Sequence, residues 1–365
     1  MLVTEPFITF SFFNLPPKPW PITVADVPVF IRQVKDPIDP AEVCSEPMDM
    51  GRIGRNGKLK MSPIPTIGET PTNEVIRDLR DAVERYEVKI GCISWFGSCF
   101  ILDVKSPLDF NADTLPGLVG QNVLYYKSSP SKPSLEAALR QKLPSGEEDD
   151  SDYGKTLRPG VLLNNIGHEG SSDLSTTAGL PVKSKDGRKY VTVSAQGFPG
   201  LNSPVYHPNK NGSRVGTMVA KIGGTDVGLA RLYSETCFSN INFSSDQEDG
   251  PTLTEFKPIK EVRRRDLVFM DTPYSGRCDG VIIGRTFESN PPGSGNEEEE
   301  WIVHECIYTG NGRPGMIAGT CGTVLWDSDD KAVAFFQSVH PSTGMCWAVS
   351  TQCLQDLGFT IEAIS

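Results

Sequence analysis

The chain has 365 residues, too long for one typical domain and enough for two or three. Its 38% hydrophobic and 22% charged residues are ordinary for a globular protein. A net charge of −11 argues against a general binder of nucleic acid or of an anionic membrane surface, either of which needs clustered Lys and Arg. The 29 prolines and 35 glycines point to turns and short strands, with helix in the minority.

The opening M-L-V-T-E-P-F-I-T-F-S-F-F-N-L-P-P is apolar, but it lacks a basic segment and is interrupted at Glu5 and Pro6. No small-residue cleavage site follows, so it is not read as a secretory signal. No apolar run reaches about 18 residues, and no membrane span is expected. Nine cysteines without a C-x-x-C pair, and only four histidines, argue against structural zinc. The expectation is an intracellular, cytoplasmic protein with reduced thiols and no cofactor or metal.

Residues 1 to about 62 are proline-rich and read as irregular. Thr70-Pro71 then reads as a cap followed by proline at the first helical position. Val75, Ile76, Leu79, Val83 and Tyr86 recur at three- and four-residue steps, which predicts a helix. K-I-G-C-I-S-W-F-G-S-C-F-I-L-D-V, Lys89 to Val104, reads as a hairpin packed on that helix, with Gly97 in its turn and Cys92 and Cys99 in its core. Asn122 to Tyr126 adds a strand, giving a small α+β module over 1–127.

Ser, Pro and acidic residues dominate 128–155, apart from a short helical pattern at Leu135, Ala138 and Leu139. The run Glu147-Glu148-Asp149-Asp150 repels itself and marks a solvated linker. From about Thr156 to the C-terminus, short apolar runs alternate with turn signals: V-L-L-N-N, A-G-L-P-V, K-Y-V-T-V, V-G-L-A-R-L, D-L-V-F-M, G-V-I-I-G, W-I-V-H-E-C-I-Y, G-T-V-L-W-D, A-V-A-F-F and C-W-A-V-S. The pattern predicts an antiparallel barrel or sandwich over 156–365. The acidic run Glu297 to Glu300 reads as an exposed loop, Arg263-Arg264-Arg265 as an exposed strand edge or loop, and Thr351 to Leu357 as a short helix.

Three stretches of this region are similar, taken together, to the trypsin/chymotrypsin-like proteases. G-R-K-Y-V-T-V-S-A-Q-G-F, Gly187 to Phe198, resembles the strand and turn that present the catalytic histidine, with Gln196 at its position. T-D-V-G-L-A-R-L resembles the Asp-x-Ala-Leu motif and puts Asp226 at the orienting acid. G-T-C-G-T, Gly319 to Thr323, stands in the place of Gly-Asp-Ser-Gly-Gly, with Cys321 at the nucleophile. The resemblance implies a double β-barrel, in the chain order base, acid, nucleophile. It also extends to degenerate trypsin-like domains of fungal intracellular proteins.

The departures decide the functional expectation. A thiol for a hydroxyl is workable chemistry, but the Gln196 amide cannot accept a proton near neutral pH. An unassisted thiol, with pKa about 8.5, is only a few per cent thiolate at pH 7. Loss of the base in such a triad costs on the order of 10⁶ in rate, roughly 8 kcal/mol. Other histidines offer little relief. His207, in S-P-V-Y-H-P, is near enough in chain to reach the cleft edge, but it reads as a surface residue at a strand end. His304 reads as a strand-face residue, and His168 carries no signal.

By resemblance, His340 and Ser338 border the pocket for the substrate side chain, with His340 also readable as a polar strand end. The glycines permit an oxyanion hole formed around Gly319, Thr320 and Cys321. Thr320 replaces the aspartate that would pair with a new N-terminus after zymogen cleavage, which argues against such activation. The leading expectation is a pseudoprotease that binds a peptide or protein partner, with Gln196 bridging Asp226 and Cys321 by neutral hydrogen bonds. The rivals are a cysteine endopeptidase with an unorthodox base, and a barrel that only scaffolds a functional N-terminal module.

Overall fold

The computed structural model describes residues 7–33, 50–105, 110–128, 156–165, 174–208, 211–245, 250–273, 275–290, 300–310, 320–340 and 343–362. The region after Thr156 folds as the sequence predicts, into a chymotrypsin-like double antiparallel β-barrel. In the first, half-closed barrel the strands follow the order Leu174–Thr177, Leu162–Asn165, Pro204–His207, Ser213–Lys221, Val227–Leu232, Lys189–Ser194, Pro181–Lys183 and Thr360–Ile361. Strand Ser213–Lys221 is not marked by the sequence. Its burial does not alternate cleanly, because a bulge between Met218 and Ala220 shifts its register.

The second barrel closes fully. Its six strands run Leu267–Thr272, Val324–Asp327, Ala332–His340, Met345–Ser350, Glu300–Tyr308 and Gly276–Asn290, and the last pairs back with the first. Inside it, Arg285 places Nε 2.9 and 3.0 Å from the two carboxylate oxygens of Glu305, and its Nη2 donates to the carbonyls of Ile259 and Val262. Burial pushes the Glu305 carboxyl up, and the Arg285 charge opposes that push. One apolar cluster joins Leu180, Val182 and Leu229 of the first barrel to Val324, Phe335 and Val349 of the second, and Cys321 belongs to it.

The N-terminal module is wired into the second barrel. Strand Gly276–Asn290 outruns its barrel, and its Arg285–Glu288 segment pairs with Trp95–Cys92 of the hairpin. This approach requires Gly284: a Cβ there would sit 2.3 Å from the Trp95 carbonyl oxygen. The hairpin Ile90–Trp95 and Cys99–Val104 forms as expected, and Asn122–Ser128 lies parallel to its second strand.

The predicted helix spans Asn73–Glu84 and buries Ile76, Leu79, Ala82 and Val83 against this sheet. Its cap is Thr72, whose hydroxyl accepts from Val75 N at 3.3 Å, rather than Thr70. The irregular start expected over 1–62 is also corrected. Strand Ile8–Phe12 pairs in parallel with Val27–Gln33, which also pairs with Thr23–Val24, and short strands at Arg52–Ile53 and Lys58–Leu59 join the large sheet. Cys99 is buried in a core, whereas Cys92 is half-buried and donates to Asp103 Oδ2 at 2.8 Å.

Arg264 departs from the exposed reading, being half-buried with its Nε on the Ile283 carbonyl. The short terminal helix is present over Gln352–Asp356. The acidic linker expected over 128–155 lies, from residue 129 onward, outside the described residues, as do 291–299 of the second acidic loop. No helix among the described residues is long and apolar enough to cross a membrane.

Candidate functional site

Strand Lys189–Ser194 alternates, sending Val191 and Val193 into the first barrel's core and leaving Thr192 and Ser194 buried on its other face. It ends in a 3-10 turn, Ala195–Gly197, built on the neighbouring acid. The Asp226 carbonyl accepts from Ala195 N at 2.7 Å, and its Oδ1 accepts from Gln196 N at 2.8 Å. Oδ2 accepts from the Ser194 hydroxyl at 2.5 Å. Strand pairing forces this meeting, because Ser194 lies opposite Val227 in register, directly after Asp226.

Asp226 is 6% exposed. Burial raises its carboxyl to about 6, opposed by the bonds from Ser194 and Gln196 and by the Lys221 charge.

Cys321 arrives from the second barrel on a turn closed by Thr323, whose N–H and hydroxyl both donate to the Thr320 carbonyl. Gly322 holds φ +94°, and a Cβ there would stand 2.6 Å from Ser194 N and 2.9 Å from the Thr177 carbonyl. The Cys321 carbonyl accepts from Thr177 N at 3.0 Å and from the Thr176 hydroxyl at 2.7 Å. Thr176 Oγ1 in turn accepts from Ser194 N at 3.3 Å. A continuous hydrogen-bonded chain therefore links Cys321, Thr176, Ser194 and Asp226 across the junction of the two barrels.

Only half of the expected bridge by Gln196 forms: its side chain hydrogen-bonds the Asp226 carboxyl group, but it does not reach the thiol. Its Oε1 is buried and accepts no hydrogen bond among the described residues, so it takes nothing from the thiol. Cys321 Sγ, in a side chain only 6% exposed, donates instead to the Gln337 carbonyl at 3.0 Å. The reason is local: Phe336 pairs with Ala348 and Ser338 with Trp347, so Gln337 is the extra residue of a bulge and its carbonyl is free of that ladder.

His207 also departs from expectation. It is buried in the first barrel with Nδ1 2.7 Å from the Leu162 carbonyl, because Pro204–His207 sends alternate residues inward. His304 lies on a buried strand face with Nε2 3.6 Å from Glu288. Ser338 is half-buried beside the bulge. Gly319, His168 and the side chain of His340 lie outside the described residues.

Sequence reasoning missed Ser194, Thr176 and Gln337. Ser194 sits inside the motif that pointed to Gln196, two residues upstream, whereas no local pattern marks Thr176 or the Gln337 carbonyl. A cavity of about 730 Å³, lined by Tyr190, Tyr233, Phe238, Ile241 and Glu362 among others, lies apart from this site and touches none of its residues.

The fold is a chymotrypsin-like double barrel, and at its junction a hydrogen-bonded chain runs from the Asp226 carboxyl group, which also accepts from Gln196 N, to the Cys321 carbonyl. No family model matches the chain, and no curated protein is similar to it in sequence. Among solved structures it is similar to a glutamic acid-specific serine protease that uses a histidine triad in substrate binding. Identity to that protease is 13%, covering 56% of this chain and 100% of that one, with a TM-score of 0.43. It is also similar to Protease A of Thermobifida fusca, with 12% identity, coverage of 57% and 100%, and a TM-score of 0.41. For Nocardiopsis protease the values are 11%, 57%, 100% and 0.42. The likeness is one of fold.

Proposed function

We propose that this protein is a protease-like binding protein, whose barrel junction holds a peptide or a segment of a partner protein without cleaving it. The observation that carries the reading is Gln196 standing beside Asp226 where peptide hydrolysis needs a proton acceptor. Acyl transfer requires a group that takes the thiol proton and later delivers it to the leaving amine, and a neutral amide does neither. The Cys321 thiol donates to the Gln337 carbonyl, which cannot carry its proton away. Ser194 and the Gln196 backbone bond to the two Asp226 oxygens, holding the carboxylate as part of the frame.

The same geometry supports binding. A turn of the Gln196 side chain toward solvent would bring its buried Oε1, which lacks a partner among the described residues at a cost of about 1–3 kcal/mol, to a donor from a bound backbone. All the described cysteines are free thiols, in keeping with a reducing, intracellular location.

The test is incubation of the purified full chain with unfolded protein and with a randomised peptide library. No hydrolysis above a Cys321→Ala control is expected, and retention of peptides should survive that substitution. Turnover lost in Cys321→Ala but unaffected by Gln196→Ala would overturn the reading in favour of a cysteine endopeptidase with another base, and His340 would be the next position to change.

A further inference from the structure

We propose that strand Ile8–Phe12 is a self-association edge, at which a second copy of this chain adds its own Ile8–Phe12 in antiparallel register centred on Phe10. The strand lies at the end of its three-stranded sheet, bonded on one side to Val27–Gln33, and no other described residue pairs with its outer side. Its N–H and C=O groups on that side form a ready template for another strand.

The edge is held firmly in place. Phe7 packs edge-on against Tyr308 with ring centroids 5.0 Å apart, and Tyr308 Oη donates to the Val29 carbonyl at 2.6 Å. Arg32 Nε bonds to Ser11 Oγ at 2.9 Å, tying the two strands together by side chains as well.

Edge strands are ordinarily blunted by a charge, a proline or a bulge, and I-T-F-S-F has none of these. Its sequence is instead symmetric in polarity about Phe10. In an antiparallel pair centred there, Phe10 faces Phe10 of the second copy, Ile8 faces Phe12, and Thr9 faces Ser11. The period of two puts all six apolar side chains on one face and the hydroxyls on the other.

That apolar face already belongs to a small core of Trp20, Val29 and Ile31, onto which Ile8 and Phe12 pack. Phe10 lies 39% exposed on it, with its ring 6.4 Å from that of Phe12. A second strand would extend this core across the dyad and cover Phe10. An unrelated extended peptide would gain the backbone bonds but not this matched pairing, which is why the second copy is the favoured occupant.

Two five-residue strands bury less than the roughly 1,200 Å² of a standard interface, so the dimer belongs to the weak class. Each chain carries a net charge of −11, so repulsion opposes the pairing and added salt should strengthen it.

The experiment is sedimentation velocity on the full chain, from micromolar to several hundred micromolar, in low and moderate salt. The expected result is a monomer–dimer equilibrium favoured by salt and weakened at least about tenfold by Phe10→Lys, which sets like charges face to face. Phe13→Ser, beyond the strand at a residue 63% exposed, should leave it unchanged. A second measurement does not depend on how Phe10→Lys folds. In a Cys237→Ser background, which removes the exposed native thiol, mild oxidation of Phe10→Cys should yield a covalent dimer bridged at that position, because only the central residue meets itself; Thr9→Cys and the background chain should not. A monomer at every concentration, a dimer indifferent to Phe10→Lys, or equal cross-linking of Phe10→Cys and Thr9→Cys would overturn the proposal. Monomers that instead bind added extended peptides would assign the edge to another protein.

Discussion

Asp226→Asn should change how stability depends on pH, by an amount that the structure sets. Burial raises this carboxyl from 3.8 to about 6. Below about pH 4 the folded and unfolded chains both hold the proton, and the group is neutral in the balance. Between about 4 and 6 the unfolded chain releases the proton while the folded chain retains it, so stability falls as pH rises. Above 6 the full penalty is in place, about 3 kcal/mol at 1.36 kcal/mol per pKa unit. Asparagine is neutral throughout and keeps one acceptor for Gln196 N, while Ser194 can turn its hydroxyl to accept from the new amide.

The assay is urea unfolding of both proteins, followed by tryptophan fluorescence, at about pH 4.5 and 7.5. Groups common to both chains cancel in the comparison. The parent should lose about 2 kcal/mol more than Asp226→Asn on going to the higher pH, since part of the penalty is already present at 4.5. A difference near zero would refute the claim that desolvation dominates at Asp226. The opposite sign would mean that the carboxylate is stabilised in its charged form, as it would be beside a cation.

Restoring a base should take two changes: Ser194 already donates to Asp226 Oδ2, so Gln196→His alone should barely speed alkylation of Cys321 below pH 7. Gln196→His/Ser194→Ala should speed it at least about tenfold, read by mass spectrometry peptide by peptide because Cys237 is exposed and reacts regardless. An unchanged double variant would mean that thiol and acid do not form a unit. Gly322→Ala should destabilise the chain by more than about 1 kcal/mol in the same unfolding assay, given its positive φ and a Cβ 2.6 Å from Ser194 N; a neutral result would show that the junction is loose. Arg285→Ala should cost about 3–5 kcal/mol at neutral pH, because it strands the buried Glu305 carboxyl, and a loss under 1 kcal/mol would show that water reaches that pair.

Much of the fold was legible because it follows from local pattern. The helix over Asn73–Glu84 and the hairpin around Gly97 bury residues at the periods their sequences display. Asp226 and Gln196 could be paired from motif order, since adjacent antiparallel strands bring them together. The cap was misplaced by two residues because Thr70 and Thr72 both flank Pro71, and only the chain's entry angle chooses between them.

Other features arise between residues far apart in sequence. Val27–Gln33 is a buried strand only because Tyr308 and the hairpin core cover it, through a bond spanning 279 positions. Ser194 and Thr176 became site residues when the first barrel met the Cys321 turn. The chain's own residues supply the groups near the junction, the Cys321 thiol, the Asp226 carboxyl and the Gln196 amide, and these are legible without any fold. The acceptor that the thiol meets is set by packing. A single extra residue in strand Ala332–His340 frees the Gln337 carbonyl beside the sulfur, and the direction of a hydrogen bond depends on where its acceptor lies after packing, which no local pattern encodes.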